Sequence, residues 1–320
     1  MKILFITSTR IGDAALSSGL LQHLLQVYPA AKFTVAAGPV AAELFTAMPR
    51  LERLLKVKKR RYGWHWPLLW LNVVAAKWDL VIDLRHSLLS YLVLTKKRYI
   101  LKPRHSNDHR VIQLGRLLHL SPPPNPQLWV SPDDEKIAAS IIPSGFSVLA
   151  IAPTANWSGK QWPAEYFIDL IKQLTEPDSL FPQAKVAIFG AANERQQALP
   201  ILKAIPPERR IDLIGKANLS LVYALLKRCQ FFVGNDSGIM HLAAAAHIPT
   251  LGLFGPSRIE LYHPWGEKTA AIRTPESFES FISAPGYDYR ATHSLMGSLT
   301  VEKVEMAARN LFQQSYGAAS

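Results

Sequence analysis

The residues with the clearest potential for chemistry lie in the segment 233–257, VGNDSGIMHLAAAAHIPTLGLFGPS. An apolar run predicts a buried strand that ends near Val233, and Asp236 then stands where a helix N-cap is expected. Ser237 and Gly238 open the predicted helix. Its first backbone N–H groups have no intrahelical partner and form an anion site that Gly238 leaves open. His241 follows within the same turn region. The alternative is an ordinary capped helix in which His241 is a buried polar group.

A carboxylate in the N-terminal half is the second candidate. Gly12 and Asp13 form a predicted turn after the apolar run KILFITSTR, at the point where a buried strand gives way to a helix. A carboxylate at the end of a parallel strand can act as a general base in a ligand cleft. Asp13 can equally serve only as the cap of the first helix, and the residues alone do not decide between these roles.

Four segments in order along the chain resemble glycosyltransferase family 9, the lipopolysaccharide heptosyltransferases. The segment 233–257 is similar to the C-terminal signature of the family, and ITSTRIGDAALSSGLLQHL is similar to its opening. SGKQWPAEYF (158–167) resembles the Lys-x-Trp-Pro segment of the family, and FGAANERQQA (189–198) resembles its glycine-rich turn with a following Glu. The resemblance implies a GT-B architecture, α/β with two Rossmann-like doubly wound domains facing across a cleft.

The resemblance also implies an inverting, metal-independent transfer from a nucleotide sugar. Asp13 matches the general base of the family, and Lys160 matches a lysine that stabilises the leaving diphosphate. Glu194 matches a carboxylate that binds ribose hydroxyls, and Leu219 falls where the family packs the nucleobase. The implied donor-binding residues are Asn156, Glu194, Leu219, Asp236, Ser237, Gly238 and His241. Asn156 and Trp157 depart from the small hydroxyl residues that the family often carries before the lysine.

The sequence lacks the residues that several other kinds of chemistry require. There is no Asp-x-Asp pair to hold a diphosphate-bound cation, the ten His are scattered, and Cys229 is the one cysteine. One cysteine builds neither a disulfide nor a structural zinc site. The Gly-x-Gly-x-x-Gly fingerprint of nicotinamide enzymes is missing after the first strand. We therefore expect neither a metal nor an organic cofactor.

Positive charge is concentrated in the N-terminal half. Residues 1–145 hold 20 Lys and Arg against 9 Asp and Glu, whereas the remaining residues hold 16 against 15. Lys58, Lys59, Arg60 and Arg61 precede Tyr62, Trp64, Trp66 and Trp70, and a second basic run contains Lys96, Lys97, Arg98 and Arg104. A solvated face, nucleic-acid binding and an acidic glycolipid at a membrane surface are three interpretations. The resemblance favours the glycolipid over nucleic acid, with Gly12 and Lys58–Arg61 as acceptor-binding residues.

The elements that must position these residues follow an alternating strand and helix pattern, which is typical of doubly wound parallel sheets. The pattern predicts a helix over 40–48, a proline-rich linker over 121–135, and a final strand in TLGLFGP. We expect an acceptor-binding domain at 1–140 and a donor-binding domain at 141–300. Residues 301–320 are expected to form a C-terminal helix, for which packing back on the N-terminal domain is one arrangement.

Length and composition support this organisation. The chain has 320 residues, of which 48% are apolar and 19% charged, enough for two domains with their own cores. No targeting segment or 20-residue apolar span is evident, so we expect a soluble cytoplasmic protein, with peripheral association at the inner membrane as an option. The predicted activity is heptose transfer from ADP-heptose to an acidic lipopolysaccharide core acceptor. Another donor or surface glycan, or a catalytically silent protein that binds an anionic partner, is the alternative.

Overall fold

The computed structural model describes residues 1–103, 106–284, 287–288 and 293–317, and Arg104 of the second basic run lies outside them. The chain divides into two compact units, Met1–Ser131 and Pro132–Ser320. Both are α/β units built on a parallel sheet, so the predicted fold class is confirmed.

Outside residues 104–105, the first unit contains five strands and three helices. The strands are β1 (Lys2–Ile6), β2 (Lys32–Ala37), β3 (Leu51–Lys56), β4 (Trp78–Asp83) and β5 (Thr95–Ile100). The helices are α1 (Ile11–Val27), α2 (His65–Val73) and α3 (Arg110–Leu117). The sheet order is β3-β2-β1-β4-β5, with every pairing parallel.

The second unit contains six strands and eight helices among its described residues. The strands are β6 (Val148–Ala152), β7 (Lys185–Ile188), β8 (Arg210–Asp212), β9 (Phe231–Asn235), β10 (Thr250–Phe254) and β11 (Thr269–Arg273). The helices are α4 (Pro132–Ile141), α5 (Ala164–Thr175), α6 (Arg195–Ala204), α7 (Leu219–Leu226), α8 (Gly238–Ala245), α9 (Ile259–Tyr262), α10 (Phe278–Ile282) and α11 (Val301–Tyr316). The sheet order is β11-β10-β9-β6-β7-β8, again with every pairing parallel.

The central strands form because their sequences suit burial on both faces. The strand β6 is VLAIA and is buried at every position, and β9, FFVGN, is buried throughout as well. Such continuous apolar runs are typical of parallel strands that have helices on both sides. The helix α5 contributes one apolar stripe to this core, through Phe167, Leu170, Ile171 and Leu174 at helical spacing.

The boundary between the units differs from the predicted one. It lies at Ser131/Pro132 rather than at 140/141, and the predicted linker 121–135 overlaps α4. The helix α4 belongs to the second unit because it packs against α7, where Ser220 Oγ donates a hydrogen bond to Asp134 Oδ2 at 2.7 Å. The acidic first turn of α4 stabilises a helix start where the polar composition suggested a linker.

The C-terminal helix also requires a correction. The apolar face of α11 lies in the core of the second unit, through Val304, Ala308 and Leu311. Phe312 packs edge-on against Phe181, with ring centroids 5.3 Å apart. The helix α11 therefore belongs to the second unit, and the option that it also packs on the N-terminal domain stays a prediction. Residues 318–320 of the predicted helix 301–320 lie outside the described residues.

Three further differences concern single elements. The predicted helix at 40–48 is a short 3₁₀ turn, Ala41–Phe45. The strands β3 and β5 were not predicted because LERLLK and TKKRYI lack a continuous apolar pattern. The strand β11 extends the second sheet beyond TLGLFGP, which was predicted to be the last strand. All three missed strands lie at sheet edges. Polar residues of β3 and β5 face solvent, whereas β11 is half-buried at every position.

Candidate donor site

The functional candidates of the second unit lie at the carboxyl edge of its sheet. The strand β6 is the first strand of this unit and pairs with β9 on one side and β7 on the other. The chain therefore leaves β6 and β9 at the topological switch point, which is where open α/β sheets bind ligands. The loops after β6, β7 and β9 carry Lys160, Glu194 and Asp236.

Lys160 and Asp236 form an ion pair at this edge. Lys160 Nζ lies 2.5 Å from Asp236 Oδ2, and only 24% and 9% of the two side chains are exposed. Asp236 follows β9, and its backbone N–H donates to Leu253 O of β10. The position of Asp236 is thus set by two neighbouring strands. The pair places the ammonium group of Lys160 at the end of β9, beside Asp236, which lies two residues before the start of α8.

The helix α8 begins one residue later than predicted. Ser237 is its N-cap residue, with an extended backbone, and Gly238 is its first helical residue. Asp236 is therefore not the N-cap, because its carboxylate is engaged with Lys160. The first N–H groups of α8 have no intrahelical acceptor and carry the positive end of the helix dipole. His241 lies in the same helix and is buried.

Glu194 is held by two hydrogen bonds at the end of β7. Its Oε2 atom accepts one from Thr154 Oγ1 at 2.7 Å and one from the backbone N–H of Ala191 at 3.0 Å. A Cβ atom at Gly190 would lie 2.9 Å from Thr154 Oγ1, so a side chain there would disturb this contact. Among the described residues, Oε1 of Glu194 has no hydrogen-bond partner. It can accept from a ligand hydroxyl.

Buried Asn235 holds the loop that carries Lys160. Asn235 is not among the site residues predicted from the sequence. Its Oδ1 atom accepts from the backbone N–H of Trp162 at 3.1 Å, and its Nδ2 atom donates to Pro153 O at 2.8 Å. Asn235 has no exposed surface and is the last residue of β9. It therefore connects both ends of the loop 153–162 to β9. A polar residue at the end of an apolar strand was the available signal.

A second missed network fixes the loop before α7. Asp212 at the end of β8 lies 2.7 Å from Arg195 Nη2 and 2.8 Å from Lys216 Nζ. Burial alone would raise the pKa of Asp212, but the hydrogen bonds from Arg195 and Lys216 lower it to about 2. The network connects the start of α6 to the segment that leads to Leu219. Leu219 is buried and is the first residue of α7.

The structure places most of the predicted donor residues at one edge of the second sheet. Asn156 differs from the other predicted donor residues in its exposure to solvent. Asn156 is exposed, whereas Trp157 lies over Gly159, where a Cβ atom would be 2.6 Å from the indole ring. The loop before Lys160 therefore packs through an aromatic ring at the point where the sequence departs from the family pattern.

In the first unit, Asp13 lies at the carboxyl end of β1, in the first turn of α1. The helix starts at Ile11, so Gly12 and Asp13 are helical rather than part of a preceding turn, and Arg10 is the N-cap residue. Ser8 Oγ donates to Asp13 Oδ2 at 3.4 Å. Asp13 is half-buried. Its carboxylate lies at the positive end of α1, where a negative charge stabilises the helix.

The basic residues Lys58–Arg61 are exposed and follow the edge strand β3. Because all strands of this sheet are parallel, they lie at the same edge of the sheet as Asp13. Arg85, after β4, also belongs to this edge, and its guanidinium lies 4.6 Å from the centre of the Trp66 ring. Burial lowers the pKa of His65, and the charges of Arg85 and Lys59 add to the effect.

Comparison with known proteins places these features in a family. The sequence model of glycosyltransferase family 9 (heptosyltransferase) matches residues 119–281, just over half of the chain. Lipooligosaccharide heptosyltransferase 2 of Campylobacter jejuni is 26% identical over 335 residues, covering 99% of this chain and 100% of the relative.

Two solved structures share the fold over nearly the whole chain. The structure of the Escherichia coli ADP-heptose lipopolysaccharide heptosyltransferase II is 22% identical, with a TM-score of 0.74, and the match covers 98% of this chain and 99% of the other. A family 9 glycosyltransferase from Veillonella parvula is 20% identical, with a TM-score of 0.76, covering 98% and 97% of the two chains.

Proposed function

Because the chain belongs to glycosyltransferase family 9 and is a glycosyltransferase, we propose that it transfers a heptose from ADP-heptose to an acidic lipopolysaccharide core acceptor. Relatives named as lipopolysaccharide and lipooligosaccharide heptosyltransferases support the sugar and the acceptor class. The observation that carries the proposal is the cluster of Lys160, Asp236 and Glu194 at one edge of the second sheet. It combines an ammonium, a helix N-terminus and a carboxylate with an available oxygen.

The donor-side chemistry follows from these groups. The ammonium of Lys160 and the first N–H groups of α8 face negative charge that grows on the diphosphate as the bond to the sugar breaks. Asp236 would repel a diphosphate, so we assign it to holding Lys160 and to accepting hydrogen bonds from sugar hydroxyls. Glu194 Oε1 accepts from ribose hydroxyls, and Leu219 packs against the nucleobase. Ser237, Gly238 and His241 complete the donor site.

The acceptor side supplies the base. An acceptor hydroxyl attacks the anomeric carbon of the donor and transfers its proton to the carboxylate of Asp13. The bond between that carbon and the diphosphate oxygen breaks, ADP leaves, and the configuration at the carbon inverts. Proton transfer to a positioned carboxylate is the ordinary work of a general base. Gly12 and Lys58–Arg61 are assigned to the acceptor, whose phosphates and carboxylates complement the basic residues.

The proposed location is the cytoplasm, with peripheral association at the inner face of the cytoplasmic membrane, where a glycolipid acceptor would lie. None of the helices in the described residues is long and apolar enough to span a bilayer. The concentration of positive charge in residues 1–145 supports a location at an anionic surface.

A donor panel tests the proposed activity. We expect ADP-heptose and ADP to raise the melting temperature, because a ligand at one hundred times its Kd adds about 2.7 kcal/mol to the free energy of unfolding. UDP-linked sugars serve as the control and should give no comparable shift. Transfer of heptose to a lipopolysaccharide core acceptor is then followed by mass spectrometry. If only a UDP-sugar stabilised the protein and no heptose were transferred from ADP-heptose, the proposed donor would be wrong.

The role of Asp13 is tested by Asp13→Asn. We expect kcat to fall by roughly 10²–10⁴-fold, the usual contribution of a positioned general base, while the thermal shift with ADP is retained. The asparagine keeps an oxygen for the hydrogen bond from Ser8. Loss of the charge at the start of α1 should change the free energy of unfolding by no more than about 1 kcal/mol. A nearly normal kcat in this variant would mean that Asp13 interacts with the start of α1 but does not act as the general base.

Lys160→Ala and Glu194→Ala separate the two donor roles. We expect Lys160→Ala to lower kcat more than it raises the donor KM, because leaving-group charge develops in the transition state. Glu194→Ala should mainly raise the donor KM, since ribose contacts change little during reaction. Thermal unfolding is measured alongside because Lys160→Ala leaves the carboxylate of Asp236 without its partner. A change in KM alone for Lys160→Ala would contradict leaving-group stabilisation.

The basic residues after β3 are tested by replacing Lys58, Lys59, Arg60 and Arg61 with Ser. We expect the acceptor KM to rise about tenfold and the donor KM to stay unchanged, because exposed charge contacts contribute a few tenths to ~1 kcal/mol each. The matched control removes four exposed lysines of the second unit, Lys136, Lys172, Lys203 and Lys303. The wild-type acceptor KM should also rise with salt, as the Debye length falls from about 10 Å to about 3 Å between 0.1 and 1 M.

An acceptor KM that responds equally to both quadruple substitutions would mean that only net charge matters. An acceptor KM that responds to neither substitution nor salt would show that Lys58–Arg61 are a solvated face.

A further inference from the structure

The helix α2 is apolar on two opposite faces. Its inner face, formed by His65, Leu69 and Val73, is buried against the core of the first unit. Trp64, which immediately precedes the helix, lies at helical spacing with Leu68 and Leu71, and 62%, 41% and 64% of these three residues are exposed. A surface helix normally turns polar residues to solvent. The outer face of α2 is therefore mostly apolar, and exposed Asn72, which donates a hydrogen bond to Leu68 O, is the polar residue beside it.

The segment 88–94 extends the apolar surface. Leu88, Leu92 and Leu94 are 71%, 56% and 66% exposed, and Tyr91 is exposed as well. The segment adjoins α2, because Trp70 Nε1 donates a hydrogen bond to Leu92 O at 3.1 Å. Together, the outer face of α2 and the segment 88–94 form what we call the α2/88–94 surface. The contact lies on the flank of α2 that carries Trp66 and Trp70, so the exposed apolar residues belong to two adjoining elements. Several exposed apolar side chains on adjoining elements indicate an interaction site, whereas single exposed leucines do not.

The backbone beneath the α2/88–94 surface is tightly held. The buried carboxylate of Asp83 accepts hydrogen bonds from the hydroxyls of Ser87 and Ser90 at 2.5 Å each, which anchors the turn before Leu92. The stacking of Arg85 on Trp66 joins this turn to α2. Leu89 and Val93 are buried between the exposed leucines. The exposed side chains are thus held outward by an ordered core.

The charge around this surface has one sign. Residues 56–98 contain ten Lys and Arg but only two acidic residues, Asp79 and Asp83. Asp83 is buried, and Asp79 is paired with Lys96 at 2.6 Å. Lys97 and Arg98 on the edge strand β5 are exposed, as are Lys58–Arg61 before α2. Cations therefore flank the apolar residues, with little acidic charge to offset them.

We propose that the α2/88–94 surface docks the protein on an anionic lipid bilayer. Leu68, Leu71 and Leu88 insert among the acyl chains, and Trp64 lies at the level of the headgroups, where its ring is favoured. The flanking lysines and arginines bind lipid phosphates. The excess of positive charge disfavours a second copy of this chain as the occupant, since two such surfaces would repel each other.

This inference deepens the proposed membrane location and rests on it, but it assigns the contact to specific apolar residues. It is tested by sedimentation of the full chain with vesicles that contain neither donor nor acceptor. Vesicles of phosphatidylcholine with 30% phosphatidylglycerol are compared with pure phosphatidylcholine. We expect clear binding to the anionic vesicles, weak binding to the neutral ones, and release by salt because the electrostatic contribution is screened.

The triple variant Leu68→Ser, Leu71→Ser, Leu88→Ser tests the apolar part. We expect its vesicle partition coefficient to fall at least tenfold. The change in thermal unfolding should be small, because Leu71 and Leu88 are mostly exposed and Leu68 is 41% exposed. The matched control, Ile137→Ser, Ile282→Ser, Met306→Ser, removes three exposed apolar side chains of the second unit and should bind as the wild type does. Transfer to a delipidated acceptor oligosaccharide should be unchanged in both variants.

Unchanged vesicle binding by the Leu68, Leu71 and Leu88 variant would overturn the inference. So would a wild-type dimer in gel filtration that this variant abolishes, because a second copy would then be the occupant. If the wild-type protein transferred heptose but did not bind anionic vesicles, the docking surface would be refuted and the proposed heptose transfer would still stand. If the protein bound anionic vesicles but transferred no heptose, the docking surface would be supported and the proposed heptose transfer would be refuted.

Discussion

The parallel pairing of all eleven strands in the described part of the chain is the constraint on which the rest of this structure depends. Parallel strands end at one edge of their sheet, and each crossover helix begins near that edge. The side chains that follow the strands are therefore gathered without any need for proximity in sequence. In the second unit, this brings Lys160 of the loop after β6 to Asp236, 76 residues further along the chain.

The cluster of Lys160, Asp236 and Glu194 also depends on neighbouring groups that hold it in place. Buried Asn235 satisfies a backbone donor and a backbone acceptor at the two ends of one loop, so that loop cannot move away from β9 without leaving polar groups unpaired. Thr154 fixes one oxygen of Glu194 and leaves the other available. Such support restricts the geometry of the site before a ligand arrives, which is the property that electrostatic stabilisation requires.

The ion pair between Lys160 and Asp236 carries a free-energy cost of desolvation. Both side chains are mostly buried, and removing two charges from water is unfavourable unless they remain well paired. The desolvation cost of this pair is one reason why we propose a role in ligand binding for Lys160 and Asp236. The first unit shows a different division of charge, because its cations are exposed and its buried carboxylate, Asp83, is used to shape a turn.

The sequence by itself determined the α/β class, the central strands of both sheets and the candidate residues of the donor site. These follow from local signals: continuous apolar runs, helical spacing, and a family pattern that residues 119–281 match. The roles of Asp13, Lys160 and Glu194 remain predictions from that pattern. The edge strands β3 and β5 were not predicted because an edge strand can keep polar residues on its solvent side. Only the tertiary structure decided that Lys160 pairs with Asp236, that Asn235 holds their loop, that α11 completes the second core, and that α2 exposes a second apolar face. Each of these depends on which residues from distant parts of the chain become neighbours, and local periodicity contains no information about that.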